Sequence, residues 1–510
     1  MMPQCAYRRR RQGGFALIAV LWVVVVASLI LVGVQKGSQV ELAAAYGELS
    51  GVQAQWMARA GVERAISQLH AESALGGCDS MRNEWFDNKE AFNIDLSLGV
   101  CCVLAPLPAG PAAPTATAPA RRYRFGPTDL ASLVNVNTAD ENQLFRLGGL
   151  TGAQINAILD WRDPNDNGRP GGAKQDYYDS LPYSYLMRNG SLKTVGELRL
   201  VKGIDFQTFY GQDANGDVLP DRYWTTLAGL QPATTNDTRQ TMGIGDRLTV
   251  HSFEPNLDAA GQKRVNVNSV DADTLKQRYN FSDALAQGFV SHTTSHAPSS
   301  PGAGPGGPGA SSAAGRSSTD TRSSPGGGPS SGGGAGGTPG GPEGAKPSGG
   351  RFGSLFELLD VQPAQQGQAQ ANSSSGQSGK VDRIDIDWLA QHWDELTLTD
   401  DQRLPGRINV NTAAPDILMT LPDMAEAEMD AICQRRDGPK GPFLSVGELY
   451  ISKTLSQDRF KSVAERVCVR SGAFEVRSIA TTRLGVRRQI VAIVDRTAKP
   501  ASILYWYQGE

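Results

Sequence analysis

Histidine and cysteine are scarce in this chain of 510 residues, with five and six respectively. The histidines, His70, His251, His292, His296 and His392, form no H-E-x-x-H pattern, and no P-loop occurs. Metalloprotease and nucleotide-hydrolase chemistry therefore have no basis in the sequence. None of the cysteine spacings matches a zinc site. A basic excess is missing as well: 49 Lys and Arg stand against 52 Asp and Glu, a formal charge of −3. Nucleic-acid affinity rests largely on phosphate neutralisation by surplus cations. Carboxylates are plentiful, but nothing in their spacing pairs them for acid–base work. The balance is against an enzyme and against a nucleic-acid partner.

Charge is also absent from Phe15 to Val34, where Ser28 is the one hydroxyl. At about 1.5 Å rise per residue the run spans the roughly 30 Å hydrocarbon core of a bilayer. It exceeds the h-region of a secretory signal, and no A-x-A site follows it. Arg8 to Arg11 precede the run, so the positive-inside rule keeps the N-terminus cytoplasmic and places everything after Lys36 outside. From Gln35 to His70 the helical composition continues, with Gly47, Gly51 and Gly61 as weak points. One long helix, half in the membrane, is expected.

Residues 99–107 (GVCCVLAPL) and 121–126 (RRYRFG) read as strands on either side of a Pro/Ala linker. An internal repeat follows: VNVNT at 134–138, VNVNS at 265–269 and INVNT at 408–412, with Leu144, Leu275 and Leu418 at the same offset. A short strand ending at the second Asn, then a helix capped by Thr138 with Glu141 in a T-x-x-E box, is the expected local structure. Copies one and three match again at Arg162/Asp163 and Arg436/Asp437, and TVGEL, SLFEL and SVGEL recur at 194, 354 and 445. The unit is a small helical hairpin module that occurs three times. In copy two the insertion from about His296 to Gly350 is nearly all Gly, Pro, Ser and Ala, a composition expected to stay disordered. The C-terminus alternates or runs apolar in three segments broken at Leu484-Gly485 and Lys499-Pro500, which predicts three antiparallel strands.

Asp163-Pro164-Asn165-Asp166-Asn167-Gly168 fits D-x-[DN]-x-[DN]-G, the opening of a calcium loop. The twelfth position is Lys174 rather than Glu, which leaves Asp176 or Asp179 to close the shell; the alternative is a turn that needs no metal. Asp213, Asn215, Asp217 and Asp221 form a second group of similar spacing, where a solvated turn is the weightier reading. Cysteines on the oxidising side of a membrane can pair; Cys433 with Cys468, and Cys78 with Cys101 or Cys102, are the expected disulfides.

The basic leader, Gly14, Phe15 and the uninterrupted helix resemble type IV prepilins, in which a membrane peptidase cuts after the glycine and methylates the new N-terminus. The resemblance implies processing between Gly14 and Phe15. Residues 1–14 carry four arginines and no acid, so the formal charge of the remainder is −7. The fifth residue after the cut is Ala19 where most pilin-like proteins have Glu. A buried carboxylate without a partner is costly, and a subunit with no neighbour to pair it dispenses with the acid. Ala19, SLVNVNTAD, WRDPN, PGGA leading into Asp176-Tyr177-Tyr178, LPYSYL and TVGELRLVKGI together resemble the minor pseudopilin K family of type II secretion systems. That family implies a tip position on the pseudopilus and a structural role in protein export across the outer membrane. It also implies an inner-membrane anchor with a periplasmic head and calcium in the insertion. The implied partners are the class I and J minor pseudopilins, the major pseudopilin and the prepilin peptidase. VNVNTA and the two helices after it also resemble helix-hairpin-helix modules of DNA-uptake proteins, which makes a type IV minor pilin with an adhesive or DNA-binding head the alternative. The hairpin turns at Gly149-Leu150-Thr151 and Asp423-Met424-Ala425 weigh against DNA, since the second puts an acid where phosphate would lie.

The expected fold is α+β: a long pilin-like N-terminal helix packed on a small antiparallel sheet, with a large helical domain of repeated hairpin modules inserted. The boundaries are 1–14 leader, 15–36 membrane half of the helix, 37–130 outer helix and first strands, and 131–295 modules one and two. Then come 296–380 as tether with an ordered island at 351–361, 381–471 as module three, and 472–510 as C-terminal strands.

Overall fold

The computed structural model describes residues 15–73, 77–107, 123–211, 243–294, 350–364 and 380–509. Gly14 and its leader, the Pro/Ala linker, the Asp213 to Asp221 group and nearly all of the Gly/Pro/Ser tether lie outside the described residues.

Phe15–Ser73 is one helix of 59 residues, α1, on the order of 88 Å long. Its most apolar window has a mean hydropathy of 3.1 and is not covered by any other described part of the chain. Among the described residues it is the one helix long and apolar enough to cross a membrane. The outer half behaves differently. Ala54, Ala58, Val62, Ala65 and Leu69 recur at intervals of three or four and are fully buried, the spacing that puts side chains on one helix face. That face lies on the sheet.

Among the described residues the sheet has seven strands: β1 (Asn93–Leu96), β2 (Gly99–Pro106), β3 (Tyr123–Phe125), β4 (Thr128–Asp129), β5 (Ala473–Thr482), β6 (Arg487–Asp495) and β7 (Ser502–Gly509). The order is β1-β2-β5-β6-β7, with β3 added to β2 and β4 to β5. β2, β5, β6 and β7 pair antiparallel in sequence, as the alternating C-terminal segments predicted. Met57, Ala58, Val62 and Ala65 of α1 pack with Cys101, Val103, Val476, Ala480, Ile490 and Ala492 in one core. Gly61 sits where a Cβ would meet Ser478 Oγ at 2.3 Å and Cys101 Sγ at 2.6 Å. Low helix propensity made Gly61 a weak point in the sequence; in the fold its missing side chain lets the helix approach β2 and β5.

All the modules lie between β4 and β5. The chain divides into two compact units. One comprises Met1–Arg264, Asp387–Glu395 and Asp400–Glu510, and so holds α1, the sheet and modules one and three. The other comprises Val265–Ile386 and Leu396–Thr399, which is module two.

Candidate functional site

Each module opens on a two-residue strand, Val134–Asn135, Val265–Asn266 or Ile408–Asn409, so the strand ends at the first Asn rather than the second. The first Asn turns the chain: Asn135, Asn266 and Asn409 Oδ1 accept the N–H of the residue two further on, each at 3.0 Å. The second Asn then bridges to the far half of its module. Asn137 donates to the Leu192 carbonyl and accepts its N–H, at 2.9 and 2.8 Å. Asn268 does the same with Phe352 at 3.1 and 2.7 Å, and Asn411 with Phe443 at 2.8 and 2.9 Å. A side-chain amide thus pairs with main chain as a neighbouring strand would.

The matched arginines are also structural. Arg162 donates to the Val136 and Ala139 carbonyls, and Arg436 to those of Val410 and Ala413. Both fasten the end of the second helix to the loop that opens the module. The expected Thr138 cap is corrected. Asp140 caps Glu141–Leu147 by accepting the Gln143 N–H at 2.8 Å, and the capping box belongs to Thr151 and Gln154 at the next helix.

Buried polar groups join the segments that link the modules, and a second set ties module three to the sheet. Glu254, on a short strand paired with Arg403–Pro405, accepts from Arg264 at 2.5 and 3.2 Å and from Arg407 at 2.6 Å. Arg264 and Arg470 both bond Asp394. Burial alone would raise the Glu254 pKa, but the charges of Arg264 and Arg407 outweigh it and hold the carboxyl down to about 2. Asp129, in β4, accepts from Asn409, Thr412 and Ser471 at 3.0, 2.6 and 2.8 Å. Burial and the nearby Asp79 push it up to about 6. Buried hydrogen-bonded networks of this kind fix one arrangement of the groups they join. Sequence reasoning missed these residues because most of their partners lie more than a hundred positions away, and the ten-residue gap between Glu254 and Arg264 matches no regular secondary-structure spacing.

The insertion after Arg162 corrects the calcium expectation. Among the described residues no cluster of acidic, histidine or cysteine side chains could hold a metal ion. The protein's own cations fill the loop. Arg169 pairs with Asp160 at 2.9 Å and Asp163 at 3.1 Å, while Lys174 Nζ donates to the Asp160 and Asp163 carbonyls at 2.9 and 2.8 Å. The Asn165 N–H, with Arg169, holds Asp163 below the usual carboxylate range. Asn165 and Asn167 stay exposed, and Asp176 opens the short helix Gln175–Asp179 instead of closing a ligand shell. Gly172 explains part of the motif, since a Cβ there would meet Asp160 Oδ2 at 2.1 Å. Tyr178 explains another part by stacking edge-on against Trp161 at 5.2 Å in the module core.

The disulfide expectation is corrected too. Cys78, Cys101, Cys102, Cys433 and Cys468 are free thiols. Cys468 is wholly buried, and Cys433 donates to Met429 Sδ at 3.8 Å on its own helix. Burial pushes the Cys78 thiol up to about 11.

The hairpin turns present no phosphate cradle. Arg247 donates to the Leu147 and Gly148 carbonyls of the first. Asp423 of the second lies 3.5 Å from Arg146 and 4.0 Å from Arg459 at the mouth of an open concavity of about 550 Å³. Its two cations are already balanced by protein acids, Arg459 by Glu428 at 3.0 Å.

One feature of every module escaped the sequence reading. Each opening strand pairs in parallel with a closing strand at the module's far end: Val134–Asn135 with Leu248–Thr249, Val265–Asn266 with Leu396–Thr397, and Ile408–Asn409 with Val467–Cys468. The signal was present as DRLTV at 246, DELTL at 394 and ERVCV at 465, each led in by a 3-10 turn. The closing strand of module two falls in the stretch 381–471 that the sequence reading gave to module three.

Residues 129–210, from β4 through most of the first half of module one, match the family model described as type II secretion system (T2SS), protein K. No curated protein matches. A solved structure, the GspK-GspI-GspJ complex from the enterotoxigenic Escherichia coli type 2 secretion system, is similar at a TM-score of 0.42 and 12% identity. The match covers 91% of this chain and 99% of that chain.

Proposed function

We infer the role of this chain from one premise: at residues 129–210 it carries the protein K domain of the type II secretion system. The chain is a minor pseudopilin, a structural component of the secretion pseudopilus rather than an enzyme. The observation that carries this reading is the setting of that domain, between β4 and β5 of a sheet packed on a 59-residue helix with a membrane-length apolar half.

Several finer points belong to the proposal. The leader is cut after Gly14 and Phe15 is methylated; the arginines before the anchor hold the N-terminus in the cytoplasm and leave the modules in the periplasm. Ala19 in place of an acid suits a subunit at the end of the filament, where no neighbour above supplies or needs the pairing charge. The partners are class I and J minor pseudopilins, the major pseudopilin and the prepilin peptidase. The domain boundaries proposed from sequence are kept for the leader, the anchor and the C-terminal strands.

Two measurements test this. Mass spectrometry of the chain expressed with a prepilin peptidase is expected to give N-methyl-Phe15 as its first residue. Detergent extraction is expected to bring class I and J minor pseudopilins with it. A chain that retains residues 1–14 in the presence of active peptidase and purifies alone contradicts the reading.

A further inference from the structure

β7 is an edge strand: among the described residues it pairs with β6, and nothing pairs with its outer side. Exposed edges are usually blunted by shortness, charge or proline. The opposite edge, β1, is four residues long and carries Asp95. β7 has eight residues, Ser-Ile-Leu-Tyr-Trp-Tyr-Gln-Gly, with no charge and no proline. None of the eight is buried, and Ile503 and Tyr507 are 47% and 52% exposed.

The register shows which amides face outward. The Arg496 N–H donates to the Gly472 carbonyl at 3.0 Å and the Thr482 N–H to the Val486 carbonyl at 2.9 Å. Even-numbered residues of β6 thus aim their amides at β5, and odd-numbered ones aim theirs at β7. Tyr505 and Tyr507 stand opposite Ile493 and Val491 and bond β6. Trp506 and Gln508, opposite Ala492 and Ile490, turn their N–H and C=O to the open side. Their side chains stay on the helix: Trp506 packs on the core that α1 shares with the sheet, and Gln508 Oε1 accepts from Gln55 Nε2 at 2.8 Å.

A second copy of the chain does not fit this edge. β5 runs antiparallel to α1, since Phe474 clusters with Leu69 while Thr482 Oγ1 and Ser50 Oγ are 2.7 Å apart. β7, two antiparallel steps on, runs the same way as β5. A copy added antiparallel would therefore point its α1, and with it the anchor, away from the membrane. A copy added parallel would be related by a two-fold axis along the strands. That axis sets Trp506 against Trp506 and Gln508 against Gln508, with like groups aimed at each other, whereas a parallel ladder needs the facing strands out of phase. The occupant is a different chain.

Height narrows it further. Gln55, level with Gln508, lies 21 residues beyond Val34, about 32 Å along the axis. β7 thus lies where the head of another subunit anchored by a similar helix would stand. Because β7 offers no charge, a charged residue placed opposite it would find no partner there.

We propose that the outer edge of β7 takes up an extended, uncharged segment of a neighbouring minor pseudopilin anchored in the same membrane, as an added strand of the sheet. The outward N–H and C=O groups of Trp506 and Gln508 supply the pairing, and Ile503 and Tyr507 supply apolar contact beside it. The proposal rests on the reading of this chain as a minor pseudopilin.

The test reads amide hydrogen exchange, residue by residue, on the detergent-solubilised full chain alone and purified with class I and J minor pseudopilins. Exchange at Trp506 and Gln508 is expected to slow roughly tenfold or more in the complex, the effect of one added main-chain hydrogen bond, while Tyr505 and Tyr507 are slow in both samples. Gln508→Pro removes an outward N–H at an edge position that tolerates proline, and is expected to weaken the complex roughly tenfold. Gln508→Ala is expected to bind as the parent does. Unchanged exchange at Trp506 and Gln508 in an intact complex, or a Q508P chain that binds like the parent, overturns the edge and leaves the minor-pseudopilin reading standing. Slowing in the chain alone that grows with its concentration assigns the edge to a second copy and also overturns the proposal. Failure of both partners to co-purify removes the reading and the edge together.

Discussion

Arg264 donates to both oxygens of Glu254, and both side chains are almost wholly buried. Removing one partner of such a pair leaves an uncompensated charge in a dry site, a loss of about 3–5 kcal/mol. Glu254→Gln is expected to lose that much in denaturant unfolding of the detergent-solubilised chain. The Glu254 pKa is depressed below its ordinary 4.5 to about 2. Its contribution is therefore full above pH 4.5 and lost as pH falls through 2. E254Q should lack that acid limb.

Asp129 has the opposite sign. Its folded pKa of about 6 lies above the ordinary 3.8, so the stability linked to it is full below 3.8 and lost as pH rises through 6. The unfolding free energy of the parent relative to Asp129→Asn is expected to decline by up to about 3 kcal/mol between pH 4 and 7. A flat difference across that window contradicts the shift.

Asn411→Ala leaves the Phe443 N–H and carbonyl without their side-chain partner in a buried site. Unmet buried polar groups cost about 1–3 kcal/mol each. Asn137 and Asn268 make the same bridges from half-buried positions, where water can substitute. Thermal unfolding should rank N411A as the most damaging of the three alanine variants.

Gly61→Ala would ordinarily strengthen a helix interior by about 1 kcal/mol. Here the new Cβ meets Ser478 Oγ and Cys101 Sγ, and overpacking of that kind costs about 1–3 kcal/mol. A net loss is expected, smaller in the G61A/S478A double variant. A double-mutant cycle measures the difference.

Calcium or a chelator is expected to leave the melting temperature unchanged, because Arg169 and Lys174 already satisfy Asp160, Asp163 and their carbonyls. Lys174→Met is expected to lower it in either buffer.

The long helix with its apolar half, the three C-terminal strands and the three modules were legible in the sequence because each writes a local pattern: an unbroken apolar run, alternation, or a repeated motif. What stayed hidden depends on chain meeting chain. The D-x-[DN]-x-[DN]-G motif describes oxygen ligands, but Lys174, eleven residues after Asp163, decides that an ammonium occupies the loop. Thr138 has capping chemistry, yet Asp140 stands at the helix start. An oxidising compartment says nothing of side-chain direction, and Cys101 faces Ser478 in the core at 3.4 Å while Cys102 bonds Asn93 on the other side. Nothing local to Glu254 or Arg264 announces that the fold buries them together.

The parallel closing strands give each module a particular freedom. Entry and exit sit side by side, roughly 5 Å apart, so whatever length of chain runs between them begins and ends at one doorway. The residues 212–242 fall within the first doorway, and 295–349 and 365–379 within the second. A cassette built this way can be lengthened, shortened or rewritten inside while the sheet that receives it keeps its register, which makes the interior of modules one and two the place where this chain can change fastest without losing its frame.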